Sequence, residues 1–354
     1  MSARLALVMI ARDEARCIAR CLASARPWID EAIVLDTGSR DETTRIAAAA
    51  GASVHHAAWL DDFAAARNAA LALTGARWRL VLDADEWLEA GSGPALRAAC
   101  ADEGEAGFLG LLEVRSTVDG AAPGVTSSWL PRLLPRGVAY AGRIHEQPES
   151  DLPRRRLPVR IGHDGYLEAQ LAAKRGRNEG LLRRALAETP GDAYLHYQLG
   201  KDLELQERFA EARPHYERAS RGVGERAAWR HDLVLRLLYT LKRCAEFEAA
   251  IALAETQMPH WRHSPDFFFT LGDLLLDWAR HQPARASDLL PMIEASWREA
   301  LAIGEQPGLN DSVHGRGSFL AAHNLAALYA GLGDEAQAQA WRERARSLRA
   351  GPGA

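Results

Sequence analysis

An apolar run, "LVL" from Leu80 to Leu82, leads straight into "DADEWLE", so Asp83, Asp85 and Glu86 crowd the end of a segment that reads as a buried strand. Aspartates at i and i+2 of a strand project to one face. Where the chain then turns, both can approach a single cation. Mg²⁺ and Mn²⁺ favour such hard oxygen ligands, commonly one or two carboxylates plus substrate phosphates. The pair alone also fits an ordinary solvated turn, and its place after an apolar strand is what makes it a candidate. A second apolar run, "AIVLD", ends in Asp36 and continues as "TGSRDET". Gly38 there permits close backbone approach, and the following helix start suits an anionic group. A helix-capping loop is the plainer reading. In "DDFAAARNAAL", Arg67 and Asn68 sit within a helix of small residues. Arg67 is either a surface charge or turns inward to a base or phosphate.

These residues need a frame, and the first half of the chain supplies one. "LALVMI" (Leu5–Ile10), "AIVLD" (Ala32–Asp36), "ASVHHA" and "RLVLD" read as strands. Helical patterns lie between them, from Asp13 to about Ser24, from Asp41 to Ala50 with Asp41 as N-cap, and from Asp62 to Leu73. The β-α-β-α-β-α-β order predicts a mostly parallel sheet covered by helices. Ligands of such sheets bind at the carboxyl ends of the strands. Ile10-Ala11-Arg12, Asp36 to Ser39 and Asp83 to Asp85 all fall there. Between Phe108 and Gly165 the pattern is irregular, with strand-like "GFLGLLEVRS", pieces of "SWLPRLLPRGVAYAGRIHEQ" and the basic "PRRRLPVR". This region reads as antiparallel additions and loops closing over the sheet edge.

The second half is nearly all helix and repeats itself. "HYQLGKDLELQERFAEARPHYERA" carries Leu199-Gly200, Leu203, Ala212, Tyr216 and Ala219, the small and large positions of a tetratricopeptide repeat. Looser copies place Leu241, Ala250 and Ala254; Leu271-Gly272; and Leu325, Tyr329, Ala338 and Ala345. Stacked helix pairs of this kind present a concave surface suited to a peptide or protein, or hold two subunits together. A generic helical bundle is the alternative. The domains expected are residues 1–168 and 169–354.

Composition narrows the classes. The 354 residues allow two domains, and the net charge of −4 gives no electrostatic case for nucleic acid or an anionic membrane. Cys17, Cys21, Cys100 and Cys244 form no CxxC pair, and reduced, packed thiols are expected. Cys17 and Cys21 are four apart on a predicted helix, a spacing that could bind metal but lacks further ligands. The apolar start, "LALVMI", is too short for a signal peptide, and no run reaches the ~18 apolar residues of a membrane span. A cytoplasmic protein is expected.

The ordered set "LVMIARDEARCIARCLAS", "DEAIVLDTGSRDET", "WLDDFAAARNAAL" and "RLVLDADE" resembles the family 2 glycosyltransferases of GT-A fold. With "GRIHEQP", "HDGY" and the helical repeats, it is similar to the bacterial subgroup that includes the bacteriocin S-glycosyltransferases. The resemblance spans roughly residues 4–170 strongly and the helical half loosely. It implies an inverting transferase that uses a nucleotide-diphosphate sugar, with uridine diphosphate expected, and Mg²⁺ or Mn²⁺. It implies that Ala11, Arg12, Asp36, Arg67 and Asp83 surround the nucleotide, and that Asp85 is the direct metal ligand. Many members carry KNE or RNE after the first strand, whereas this chain has Arg12-Asp13-Glu14. Asp for Asn keeps the size and adds a charge.

Inversion needs a base on the acceptor and stabilisation of the leaving diphosphate. Glu146 and His145 in "GRIHEQP" are the candidates for the base, with a structural polar loop as the alternative. His163 in "GHDGY" is a further metal or diphosphate ligand, or an ordinary loop histidine. Lys174 and Arg177 either reach the diphosphate or line a solvated helix face. The acceptor expected is a peptide, a protein or a glycan. Two rivals stand beside the transferase. A nucleotidyltransferase would call for a glycine-rich phosphate loop after the first strand, and "ARDEARC" has no glycine. A non-catalytic scaffold would bind nucleotide sugars without turnover.

Overall fold

The computed structural model describes residues 5–101, 107–118, 124–166 and 176–350. The chain falls into two compact units, Met1–Glu188 and Thr189–Ala354. No helix among the described residues is long and apolar enough to cross a membrane.

In the first unit, β1 (Leu5–Ala11), β2 (Glu31–Asp36), β3 (Ser53–His56) and β4 (Trp78–Val81) are parallel and ordered β3-β2-β1-β4. The helices α1 (Ile18–Ala25), α2 (Thr43–Ala49) and α3 (Phe63–Ala72) connect them. Successive residues of β1 enter opposite cores. Leu5, Leu7 and Met9 pack with Ile18, Leu22 and Leu80, whereas Ala6 and Val8 pack with Ala64, Ala70 and Leu71. A strand buried on both faces must be apolar throughout, which is why these segments read as continuous runs.

The first helix starts later than its periodicity predicts, at Ile18 rather than Asp13. Asp13 has φ +56°, outside helical space. Its N–H donates to Ser39 Oγ at 2.9 Å, and its Oδ1 accepts from the Arg40 N–H at 2.7 Å. The N-cap of α2 is Glu42, so Asp41 stands one residue before the cap it was expected to be. Its carboxylate accepts from Thr43 N–H at 2.9 Å and from Ala15 N–H at 3.1 Å, joining the two strand-end loops. Asp62 caps α3 through the Ala65 N–H at 2.8 Å.

The sheet continues through β5 (Glu86–Leu88), β6 (Leu109–Val118), β7 (Gly124–Pro135) and β10 (Arg154–Tyr166), in the order β4-β7-β6-β10-β5. The helix α4 (Gly93–Ala101) follows β5. Strand β7 runs antiparallel to β4 and β6, and β5 runs antiparallel to β10. The irregular region thus supplies the antiparallel additions expected of it, and they extend the sheet from β4. β8 (Ala139–Ala141) and β9 (Gln147–Glu149) form a separate hairpin.

The expected boundary at 168/169 lies outside the described residues, as does Lys174. The helix after it, α5 (Arg177–Glu188), belongs to the first unit. Arg184 pairs with Asp61 at 2.8 Å, and Glu188 pairs with Arg143 at 3.0 Å.

The second unit is a succession of helix pairs: α6 (Ala193–Leu205) with α7 (Phe209–Gly222), α8 (Arg230–Arg243) with α9 (Phe247–Trp261), α10 (Pro265–His281) with α11 (Ala286–Ile303), and α12 (Phe319–Gly331) with α13 (Glu335–Ala350). Gly200 lets Tyr216 lie against its helix, since a Cβ there would fall 2.6 Å from the ring. Gly272 does the same for Trp297, with a Cβ 2.4 Å from the indole nitrogen. Ala212, Ala219, Ala250, Ala254, Leu325 and Ala338 are all buried, as the repeat pattern requires. Tyr329 and Ala345 remain half-buried in the last pair. The four cysteines form no disulfide, and burial pushes the Cys17 and Cys21 thiols up, and Cys100 up to about 12. Thiols so hard to ionise are packing residues.

Candidate active site

The carboxyl ends of β1, β2 and β4 bring the expected residues to one end of the sheet. Ala11 ends β1 directly opposite Asp36, the last residue of β2. The Ala11 carbonyl accepts from the Thr37 N–H at 2.9 Å. Arg12 follows, more than a third exposed at 42% and only 3.9 Å from Asp13. Asp36 is buried and accepts from the Gly38 and Ser39 N–H groups at 3.1 Å, with His56 Nδ1 3.5 Å away. Burial opposes its charge, but these donors outweigh it and hold the carboxyl below its ordinary range. Gly38, at φ +107°, takes the left-handed conformation that lets the loop fold over Asp36.

Asp83 and Asp85 leave the end of β4 toward different partners. Asp83 accepts from Arg67 Nη2 at 2.6 Å and from Arg132 Nη2 at 2.9 Å. Burial alone would favour its neutral form; the two guanidinium groups reverse that and keep it well below the usual carboxylate range. Arg132 also donates to Glu86 Oε1 at 2.5 Å, and Glu86 Oε2 accepts from the Asp83 N–H at 3.0 Å. Glu86 is pushed up, first by burial and then by the charge of Asp83, with Arg132 offsetting part of it. Arg67 is itself buried, 7% exposed, and its Nε donates to Glu146. One guanidinium thus spans the β4–β5 turn and the β8–β9 hairpin.

That hairpin is fixed to α3 through its backbone. Asn68 donates to the Tyr140 carbonyl at 2.9 Å and accepts from the Tyr140 N–H at 2.8 Å. The Phe63 N–H donates to the Arg143 carbonyl at 2.8 Å. His145 has φ +52°, a conformation that costs a non-glycine residue about 1–3 kcal/mol and persists only where the surroundings impose it. Its carbonyl accepts from Gln147 Nε2 at 3.3 Å. The sharp turn at His145 directs the next residue, Glu146, back to Arg67, where its side chain is 9% exposed.

Asp85 is buried beside His163, with Oδ2 to Nε2 at 3.7 Å, too long for a direct hydrogen bond. Register explains the approach. In the β10–β5 pairing His163 lies opposite Glu86, and in the β10–β6 pairing it lies opposite Ser116. Ser116 Oγ meets His163 Nδ1 at 2.9 Å, so the ring is oriented with Nε2 toward Asp85. An outer hydrogen bond on one imidazole nitrogen is how ligating histidines are commonly set. Among the described residues no three His, Cys, Asp or Glu side chains converge on one point. A carboxylate and an imidazole still fit a divalent cation that takes its other ligands from phosphates and water. The expected role of Asp83 as companion in the motif is spatially separate, because its oxygens face Arg67 and Arg132.

Sequence reasoning missed Arg132 and Tyr140 as members of this cluster, and also Asp164; Glu86 stands out beside Asp83 and Asp85, but its pairing with Arg132 is not legible. Asp164 accepts from Arg16 Nη2 at 3.0 Å and from Arg20 Nη2 at 2.6 Å, and its N–H donates to the Asp85 carbonyl at 3.3 Å. Burial opposes its charge and the two arginines lower its pKa. Of the two cations proposed near the start of the helical half, Arg177 lies over the Phe63 ring at 5.6 Å.

The family described as "Glycosyl transferase family 2" matches residues 6–150. That match falls wholly within the first unit. The matched span includes the strand ends, Arg67, Asp83, Asp85 and Glu146, and stops before His163 and α5. Among curated proteins, a TPR repeat-containing protein of Synechococcus elongatus is 38% identical over 266 residues, 70% of this chain and 64% of its own length. The SPbeta prophage-derived glycosyltransferase SunS of Bacillus subtilis is 26% identical over 215 residues, 58% of this chain and 50% of its own length. The chain therefore spans between half and two thirds of these relatives. Among solved structures, MamA aligns at a TM-score of 0.38 with 14% identity, over 52% of this chain and 95% of that one. YrrB, a TPR protein with an unusual peptide-binding site, aligns at 0.37 with 18% identity, over 51% and 80%. The repeat character of the second unit rests on its own packing, at Gly200–Tyr216 and Gly272–Trp297.

Proposed function

We propose that the chain is an inverting, metal-dependent glycosyltransferase. It moves a sugar from a nucleotide diphosphate, taken as a uridine diphosphate sugar, to a peptide, protein or glycan acceptor in the cytoplasm. The observation that carries this reading is the pairing of Asp85 with an oriented His163 at the carboxyl end of the sheet, inside and just beyond a family 2 domain. The nucleoside lies along Ala11, Arg12 and Asp36. Asp85 and His163 would hold Mg²⁺ or Mn²⁺. When bound, such an ion supplies positive charge to the leaving diphosphate. Arg12, exposed at the end of β1, adds to that charge.

The acceptor nucleophile attacks the anomeric carbon from the side opposite the diphosphate. Its bond to the sugar forms as the bond to the diphosphate oxygen breaks, and its proton passes to Glu146. His145 supplies the turn that aims Glu146. The helical unit binds the acceptor or a second copy of the chain, a role for which stacked helix pairs are suited.

A screen of nucleotide sugars, with and without Mn²⁺, tests the reading through thermal stability and through hydrolysis, which needs no acceptor. A true donor at about 100 times its dissociation constant adds ~2.7 kcal/mol of apparent stability. If no nucleotide diphosphate raises the melting temperature in the presence of Mn²⁺, the reading is wrong. Stabilisation without any turnover favours a non-catalytic scaffold.

A further inference from the structure

We infer that Arg67 is a positioning residue, whose buried guanidinium locks the Glu146 carboxylate to the Asp83 turn so that the acceptor and donor ends of the site share one rigid reference. The inference rests on the transferase reading above, and it gives Arg67 a task other than touching the donor. Nε of Arg67 is engaged by Glu146 and Nη2 by Asp83. Those two carboxylates come from segments 63 residues apart in the chain (146 − 83). Asp83 is gripped from its other side by Arg132, which also holds Glu86. The turn that carries Asp85 is therefore tied through Arg67 to the hairpin that carries Glu146.

The hairpin does not need Arg67 to stay in place. Asn68 and Phe63 already pin its backbone at Tyr140 and Arg143. What the guanidinium adds is the direction of the Glu146 side chain. A planar fork with separate donors can satisfy two carboxylates at once, whereas a lysine ammonium is a point charge on a flexible stem. Arg67→Lys should keep the charge and lose the alignment.

The test uses the full chain, UDP with Mn²⁺ for binding, and the uridine diphosphate sugar that the wild type hydrolyses fastest for turnover. For Arg67→Lys, UDP affinity should stay unchanged while kcat falls by about 10²-fold, the loss expected when a reacting group is misplaced by an ångström. Wild-type kcat overturns the inference. So does weakened UDP binding with kcat retained at saturating donor, which would make Arg67 a donor ligand. Parallel loss of both also overturns it, since that marks a general structural role. Should Arg67→Lys fail to fold, Asp83→Asn reads the same link from its more exposed end. It should lower kcat by a smaller factor with UDP affinity intact, and loss of UDP binding there counts against the inference. Glu146→Gln, measured alongside, separates the two claims. Wild-type turnover in that variant defeats Glu146 as base, whereas slow Glu146→Gln beside wild-type Arg67→Lys defeats the positioning role alone.

Discussion

Each unit of this protein buries a network of charges, and the two networks are built differently. In the helical unit Asp232 is buried and accepts from Arg236 Nε at 2.6 Å and from the Tyr197 hydroxyl at 2.5 Å. Arg236 also donates to Glu204 at 2.7 Å, and Tyr216 donates to Glu204 at 2.6 Å. Lys201 stands 3.8 Å from Asp232, so two cations face two carboxylates. In the sheet unit two arginines, Arg67 and Arg132, face three carboxylates, Asp83, Glu86 and Glu146. Arg67 Nη1, Arg132 Nε and the Tyr140 hydroxyl are buried there without a hydrogen-bond partner. None of the side-chain atoms of the helical network is left that way. A balanced and satisfied network holds helices together. An unbalanced one, with donors unspent at the end of a sheet, carries costs that stability alone does not explain.

Breaking the sheet network should therefore show in rate, and breaking the helical network in stability. The largest effect is expected for Glu146→Gln, which keeps shape and removes the base. Sugar transfer to a hydroxyl acceptor should fall by about 10²–10⁴-fold while UDP binding persists. A thiol acceptor ionises more readily and should lose less, with the loss shrinking at high pH. Wild-type transfer in this variant would place the base elsewhere, with His145 next in line.

Arg236→Met should do the reverse. Breaking a buried ion pair costs roughly 3–5 kcal/mol, and the low end applies because a quarter of the Arg236 side chain is exposed. Urea unfolding of the full chain should show that loss, with UDP affinity unaltered. Equal effects on UDP binding would erase the distinction between the networks.

Acid offers a gentler probe. Burial works against the Asp232 charge, but Arg236, Lys201 and Tyr197 bring its pKa down to about 2. The unfolded value is near 3.9, so this depressed carboxyl contributes about 2–3 kcal/mol that is fully present above pH ~4 and lost as pH falls toward 2. Asp232→Asn should flatten that part of the stability profile, and an unchanged slope would deny Asp232 its role.

Two tyrosines sharpen the contrast at the smallest scale. The Tyr197 hydroxyl donates to a charged carboxylate, so Tyr197→Phe should cost about 1.5–3 kcal/mol. The Tyr140 hydroxyl has no partner, and Tyr140→Phe should fall within about 0.5 kcal/mol of wild type in thermal unfolding. A Tyr140→Phe loss as large as that of Tyr197→Phe would show the site cluster to be as satisfied as the helical one.

The frame of both units was legible because it follows from period and burial. Strands β1, β2 and β4 are buried on both faces and read as apolar runs, and Gly200 and Gly272 mark the close helix contacts. What could not be read was set by register between distant strands. Leu133 pairs with Leu80, and continuing that pairing carries Arg132 toward the Asp83 turn. Nothing in "LPRLLP" announces this. The same holds for His163, which by sequence reads as a loop histidine or a ligand and gains its orientation from Ser116 across the β10–β6 pairing. The late start of α1 depended on Asp13 adopting φ +56° to hold the Ser39–Arg40 loop, a contact between two loops that periodicity does not encode. Spacing alone lets Asp83 and Asp85 approach one cation. The arginines that draw Asp83 aside come from residues 67 and 132, outside any local motif.

Calorimetric titration of UDP into the wild type and into Asp85→Asn, each with and without Mn²⁺, tests the central claim most directly. Asp85 stands 3.7 Å from His163, away from the arginine pairs of Asp83, so the substitution removes a proposed metal ligand and leaves the Arg67–Asp83 link in place. The wild type should bind UDP far more tightly with Mn²⁺ than without it. Asp85→Asn should lose that gain by more than the roughly 10–100-fold that removing an outer partner of a metal site costs. UDP binding that ignores Mn²⁺, or a full Mn²⁺-dependent gain in Asp85→Asn, would contradict the account.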